Sequence, residues 1–227
     1  IYEEAALAQW AGDDGRSKEL GKWATSSASE RALSAMVSLA QSEPGIPVLP
    51  EQLDADPWAL NVFNGTIDLR TGELRTHRRE DLITKLAPVT YDPDAACPLW
   101  DAVLLHAMKV RASLVTYMQR SVGYTLTGDT REQVLHVAHG LGATSKSTTF
   151  GVVQDLLGDY AQTAAPGLLL RSRGDRHPTE VATLKGARFV ACFEVGEGRR
   201  LDEELVKQLT GGDRVTARRM REDFWSF

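Results

Sequence analysis

Lys146 and Ser147 are the residues whose types and spacing best suit chemistry. They lie in the run "HGLGATSKSTTF", His139 to Phe150. A buried strand, a glycine-bearing turn and the start of a helix together present inward-pointing N–H groups at the positive end of a helix dipole. That arrangement suits a phosphate. A lysine opening the helix adds a cation for β- and γ-phosphates, and the next hydroxyl can ligate Mg²⁺. The pattern G-x-x-x-x-G-K-[ST] is met by Gly140, Lys146 and Ser147, with Gly142, Ala143 and Thr144 in the loop and Thr148 following. It fails at Ser145, where the second glycine belongs. A β-carbon there crowds the phosphates or strains the backbone. Taken alone, the run is equally a connector between a strand and a helix.

A second candidate is acidic. Phosphoryl transfer to water needs a metal ion and a carboxylate near the end of a neighbouring strand. "RFVACFE" is an apolar run that ends in Glu194, with Glu197 close behind. One could serve the metal and the other orient the water, and the residues do not assign the roles. A glutamate emerging into solvent at a strand end would look the same. The third candidate is basic: Lys207, Arg214, Arg218 and Arg219 surround a helix end and an expected hairpin. Alternation along "VTARR" puts Val215 and Ala217 on one face and Thr216 and Arg218 on the other. A small basic loop on rigid elements suits the phosphates of a single strand, and a solvated hairpin is the plainer reading.

The elements that must hold these groups follow from periodicity. Three helices are expected first, over "YEEAALAQWA", "SKELGKWATS" and "SASERALSAMVSLAQSE". The third has Ser27 as its expected cap, with Glu30 three residues on. Its apolar face is Leu33, Met36, Val37 and Leu39. Turn signals at Asn64-Gly65 and Thr71-Gly72, with Ile67 and Leu69 alternating, predict a β-hairpin. "LITKLAPVTY" reads as a further strand, and residues 99–111 and 113–123 as helices. From about residue 126 the pattern becomes α/β. "EQVLHVAHG" is a strand and "KSTTFGVVQDLLG" a helix. "TEVATLKG" is a short helix, and "ARFVACFEV" a strand buried on both faces. "LDEELVKQLTGG" is a helix, and a closing hairpin follows. The expected fold is therefore an α+β N-terminal domain, residues 1–125, followed by a partial α/β domain, residues 126–227.

Composition sets the outer limits. The chain has 227 residues, 42% hydrophobic and 25% charged, with a net charge of −5. Its first 170 residues are net acidic and residues 171–221 net basic, a pointer to a polyanion near the basic segment. No apolar run approaches the ~20 residues of a membrane helix, so no membrane partner is expected. Cys97 and Cys192 are far apart, which argues against a disulfide framework or zinc site and for a reducing cytoplasm. Of the five tryptophans, Trp58 and Trp100 are expected to be packed rather than functional. The chain starts at Ile1 and stops in an apparent strand, and is read as a fragment cut at both ends, or a processed or partial chain.

In the order "NGTIDLRTGELR", the Lys146 loop and "EGRRLDEELVKQLTGGDRVTARR", the chain resembles phage and plasmid primase–helicase proteins. These carry a poxvirus-type N-terminal domain before a superfamily-3 helicase. The likeness runs from about Leu33 to Met220. It implies that residues 126–227 are a truncated AAA+-like P-loop ATPase domain. It also implies an ATP- and Mg²⁺-dependent helicase that acts on single-stranded DNA as a homo-hexameric ring. The setting would be replication of a mobile element in a bacterial cytoplasm, beside a primase domain or protein. Carried over to this chain, the nucleotide loop is Gly140, Gly142 and Lys146 to Thr148. Glu194 falls at the strand-end acid, and Lys207 to Arg219 in the segment carrying a DNA-contacting hairpin. The family's loop usually reads Asn-Gly where Thr144 and Ser145 stand. Its sensor asparagine and arginine finger would lie beyond Phe227. The rival expectation is a relative that no longer hydrolyses ATP, kept for DNA binding or assembly. A small-molecule kinase fits the loop but not "KQLTGGDRVTARR".

Overall fold

The computed structural model describes residues 1–140, 144–171, 178–193 and 199–227. It is an α+β chain of helices and small sheets, and its contacts delimit two compact units, residues 1–53 and 54–227.

The first unit is helical: α1 (Tyr2–Trp10), α2 (Asp14–Ser27) and α3 (Glu30–Ala40). Asp13 begins α2 by accepting the Arg16 N–H at 3.0 Å. Ser29 caps α3, accepting the Ala32 N–H at 3.3 Å. Ser27, the cap expected from sequence, is still inside α2 and the chain reverses only after it. The α3 residues Leu33, Met36, Val37 and Leu39 lie exposed.

The second unit begins with an antiparallel meander of β1 (Ala59–Val62), β2 (Gly65–Asp68) and β3 (Glu73–Arg75). Phe63 and Asn64 make the first reversal, which leaves Gly65 paired with Val62. A Cβ on Gly65 would lie 2.3 Å from the Arg75 carbonyl oxygen, so this close approach requires glycine. The expected strand at "LITKLAPVTY" reduces to one bridge, Ala87 to Val62. Beside that bridge the Ala87 N–H donates to the Asn61 carbonyl and the Phe63 N–H to the Val89 carbonyl, both at 2.9 Å, while Leu86 turns to Asp159: the Leu86 N–H donates to Asp159 Oδ2 and the Asp159 N–H donates to the Leu86 carbonyl, both at 3.1 Å. The segment therefore serves as a strap rather than a ladder.

Next come α4 (Pro98–Ala107), α5 (Ala112–Thr125), α6 (Lys146–Leu157), β4 (Ala161–Thr163), α7 (Pro178–Ala182), β5 (Phe189–Ala191), α8 (Glu203–Thr210), β6 (Thr216–Ala217) and β7 (Trp225–Ser226). Strands β4 and β5 pair in parallel, Ala161 to Phe189 through Thr163 to Ala191. Strand β5 is shorter than expected and not buried on both faces. Val190, its central residue, is 41% exposed. Among the described residues the strand expected at "EQVLHVAHG" makes no ladder, and Val134, Leu135 and Val137 are exposed. A strand exists through a partner's backbone groups, and no described strand pairs with this segment.

Two cores hold this unit. Leu60, Val62, Ile67 and Ala87 pack with Val153, Leu157 and Tyr160. Ala164, Leu168, Val181, Leu184, Leu205 and Val215 form the other. The first joins the meander to α6, and each large apolar side chain buried in it contributes about 1.5–3 kcal/mol.

Candidate functional site

Lys146 is the first residue of α6, and Ser145 is its N-cap. Ser145 is left-handed, with φ 58° and ψ 13°, and its side chain makes no capping bond. Serine normally caps from extended backbone, where its oxygen reaches back to the first-turn N–H groups. The left-handed conformation forfeits that bond and is the one glycine adopts without cost. The helix still starts at once: the Thr149 N–H donates to the Ser145 carbonyl at 2.9 Å. Its preceding N–H groups have no intrahelical carbonyl to bond, and no acid stands in the first turn to compete for the dipole.

The Lys146 ammonium is folded over its own loop. Nζ donates to the Gly140 carbonyl and to Thr144 Oγ1, both at 2.9 Å. Thr144, Ser145 and Lys146 are half-buried, whereas Ser147 and Thr148 are exposed. Gly142 and Ala143 lie outside the described residues. So do Glu194 and Glu197, which follow β5 by sequence. Helix α6 leans on β5 through the stacked rings of Phe150 and Phe189, 6.3 Å between centroids. The loop helix and the strand that runs toward Glu194 are thus neighbours.

Arg188, just before β5, is a residue that sequence reasoning missed. Its Nη1 donates to the Leu126 carbonyl at 2.7 Å, and its Nη2 to the Ala59 carbonyl at 2.9 Å and the Asp56 carbonyl at 3.4 Å. The guanidinium lies 4.5 Å from the centre of the Tyr160 ring. Burial pulls the Arg188 pKa below its ordinary value, with the charges of Tyr160, Asp54 and Asp56 opposing. Leu126 is the C-cap of α5, so the cation also meets the negative end of that helix. Tyr160, its pKa raised chiefly by burial, accepts the Asn61 N–H at 3.1 Å. Periodicity carries no signal for such a clamp, because its partners are carbonyls from distant segments.

At the basic end, Asp202 caps α8 by accepting the Leu205 N–H. Lys207, Arg214 and Arg219 are exposed and Arg218 half-buried. Strands β6 and β7 pair antiparallel, Thr216 to Ser226 and Ala217 to Trp225. Val215 and Ala217 are buried and Thr216 is exposed, so the alternation expected from "VTARR" is present. Trp58 and Trp100 are half-buried, and Trp100 packs on the meander core. Among the described residues no group of three or more His, Cys, Asp or Glu could hold a metal, and no helix is long and apolar enough to cross a membrane.

Residues 1–108 match the family described as D5 N terminal like. The match ends at the C-cap of α4, Met108, and spans both the helical unit and the meander. A protein of Acanthamoeba polyphaga mimivirus, provisionally named a helicase, is 26% identical over 182 residues. That alignment covers 78% of this chain and 19% of the viral protein, so it also takes in residues beyond the D5-like segment.

Proposed function

We propose that this chain is part of an ATP-driven DNA helicase of the phage and plasmid primase–helicase kind, in which residues 126–227 contribute the P-loop of an AAA+-like ATPase domain. The observation that carries the reading is the start of α6. Lys146 opens the helix behind a left-handed residue, downstream of a D5-like segment. The helicase name of the viral relative agrees with it.

In this reading the first-turn N–H groups and the Lys146 ammonium receive the phosphates of ATP, once the ammonium exchanges its bonds to Gly140 and Thr144 for phosphate oxygens. Mg²⁺ fits a site of this sort without a protein cage, because it keeps several waters and takes one or two protein oxygens plus phosphates. The exposed Ser147 hydroxyl would be one of them and Glu194 a second, direct or through water. The metal would spread the negative charge of the transferring phosphoryl group. Water attacks the γ-phosphorus as the bond to the β–γ bridging oxygen breaks, which yields ADP and phosphate. Positioning and charge stabilisation are the catalytic means. Lys207, Arg214, Arg218 and Arg219 would follow single-stranded DNA as a homo-hexameric ring steps, in the bacterial cytoplasm and beside a primase domain or protein.

One observation favours a second reading, a relative that binds DNA or assembles but does not hydrolyse ATP. Ser145 adds a β-carbon to the loop, and Lys146 is already bonded to that loop. DNA-stimulated ATP hydrolysis by the full-length protein separates the two. The helicase reading expects turnover that Lys146→Ala lowers by at least about a hundredfold. Turnover that is absent in the native protein and restored by Ser145→Gly establishes the second reading. Native turnover that Lys146→Ala leaves unchanged refutes the loop assignment.

A further inference from the structure

We infer that Thr144 is an internal competitor for the Lys146 ammonium, a hydroxyl that phosphate oxygens must displace and that thereby sets how tightly the loop takes a nucleoside triphosphate. The inference rests on the helicase reading for its ligand. It goes beyond that reading by giving a role to a residue that the phosphate-loop pattern leaves unspecified.

The pattern G-x-x-x-x-G-K-[ST] puts Thr144 at its last open position, two residues before the lysine. Any side chain satisfies the pattern there. In the fold that side chain meets the ammonium: Nζ donates to Thr144 Oγ1 and to the Gly140 carbonyl, both at 2.9 Å. These bonds occupy two of the three N–H donors that an ammonium has. Thr144 and Lys146 are half-buried, on either side of the left-handed Ser145. The contact is closely packed, since a Cβ on Gly140 would lie 3.2 Å from Thr144 Oγ1 and 3.6 Å from Nζ. The ammonium thus ties the start of the loop to its end.

The two acceptors differ in what they can release. The Gly140 carbonyl is fixed in the backbone, whereas a threonine hydroxyl rotates and can donate as well as accept. The bond to Thr144 is therefore the one that yields when phosphate arrives. Both bonds carry the charge of the ammonium, which makes them stronger than neutral ones. A ligand that must open such a bond binds more weakly, in proportion to the fraction of protein in which the bond is already open. Removing the hydroxyl lifts that penalty and leaves the cation and the Gly140 carbonyl in place. A hydroxyl offered to Mg²⁺, as Ser147 is in the helicase reading, strengthens nucleotide binding. A hydroxyl held by the ammonium opposes it, so the two side chains carry opposite signs.

The test uses the full-length protein and the fluorescent analogue mant-AMP-PNP, which is not hydrolysed, with Mg²⁺. Thr144→Val keeps the shape of the side chain, and so keeps water out of the contact, but lacks the hydroxyl. It should bind the analogue about tenfold more tightly, the lower end of what a hydrogen bond to a charged group contributes. Thr144→Ser, which keeps a hydroxyl, should bind as the native protein does. A double-mutant cycle in urea, without nucleotide, reads the contact itself. Thr144→Val should lower the midpoint more in the native protein than in the Lys146→Met background. Should the valine variant fail to fold, Thr144→Ala replaces it in both measurements. Analogue binding by Thr144→Val that is native-like or weaker overturns the inference, as do midpoint shifts that add. The helicase reading fails separately. Analogue binding that Lys146→Met abolishes, without a gain in Thr144→Val, leaves that reading standing and removes the competitor. Coupling in the cycle, with no analogue bound by the native protein or by any Thr144 variant, overturns the helicase reading and the competition with phosphate together and leaves only the contact.

Discussion

Ser145→Gly should stabilise the protein, although it deletes a serine at a helix N-cap. At most N-caps such a change loses a few tenths of a kcal/mol, because serine and glycine both serve there. Here the serine has nothing to lose, since its side chain makes no capping bond and its backbone sits at φ 58°. An L-residue in the left-handed region costs roughly 1–2 kcal/mol, which glycine escapes. Glycine returns about 0.4–1 kcal/mol through the greater freedom of its unfolded chain. The difference is a net gain of about 0.5–1 kcal/mol. Urea denaturation followed by circular dichroism measures it as a raised midpoint at unchanged slope. Ser145→Ala is the internal control. Alanine keeps the left-handed cost and lacks the hydroxyl, so it should fall within about 0.5 kcal/mol of the native protein. A loss of about 1 kcal/mol for the alanine variant would mean that the hydroxyl does cap the helix. A destabilised glycine variant would mean that the left-handed backbone carries no strain. Either result refutes the account of the loop given above.

Arg188→Ala should be among the more damaging single changes, since it leaves the Leu126 and Ala59 carbonyls without their charged donor. Hydrogen bonds to charged groups contribute about 1.5–3 kcal/mol, so an early melt is expected, and Arg188→Lys, which has no forked donor, should recover only part of it. Asp81→Asn tests a pH dependence: Arg75 donates to both Asp81 oxygens at 2.6 and 2.9 Å and holds the carboxyl below its ordinary 3.8. A depressed carboxyl stabilises the fold above its unfolded value and ceases to as pH falls through its folded one. The gap between native and Asp81→Asn, up to about 1 kcal/mol for so open a pair, should therefore be full at neutral pH and close below pH 3.8; a gap constant with pH would refute the pairing.

Local physics was legible in the sequence wherever a residue's neighbours in the chain decide its conformation. Asn64-Gly65 marked the first reversal of the meander, the apolar period and Gly158 bounded α6, and alternation along "VTARR" sorted Val215 and Ala217 from Thr216 and Arg218. Lys146 at a helix start and Ser145 at a position suited to glycine could both be read from spacing. What the tertiary structure decided was pairing and burial, which depend on groups distant in sequence. "EQVLHVAHG" has a strand's composition and, among the described residues, no ladder, since composition supplies a surface and not a partner. "LITKLAPVTY" meets β1 in a single bridge at Ala87, and its Leu86 turns to Asp159, 73 residues away. Arg188 gave no sign of its role because carbonyl acceptors 62 and 129 residues away belong to the backbone and carry no side-chain signature. Leu60 and Val62 share one core with Val153 and Leu157, a pairing of groups distant in sequence that periodicity does not carry.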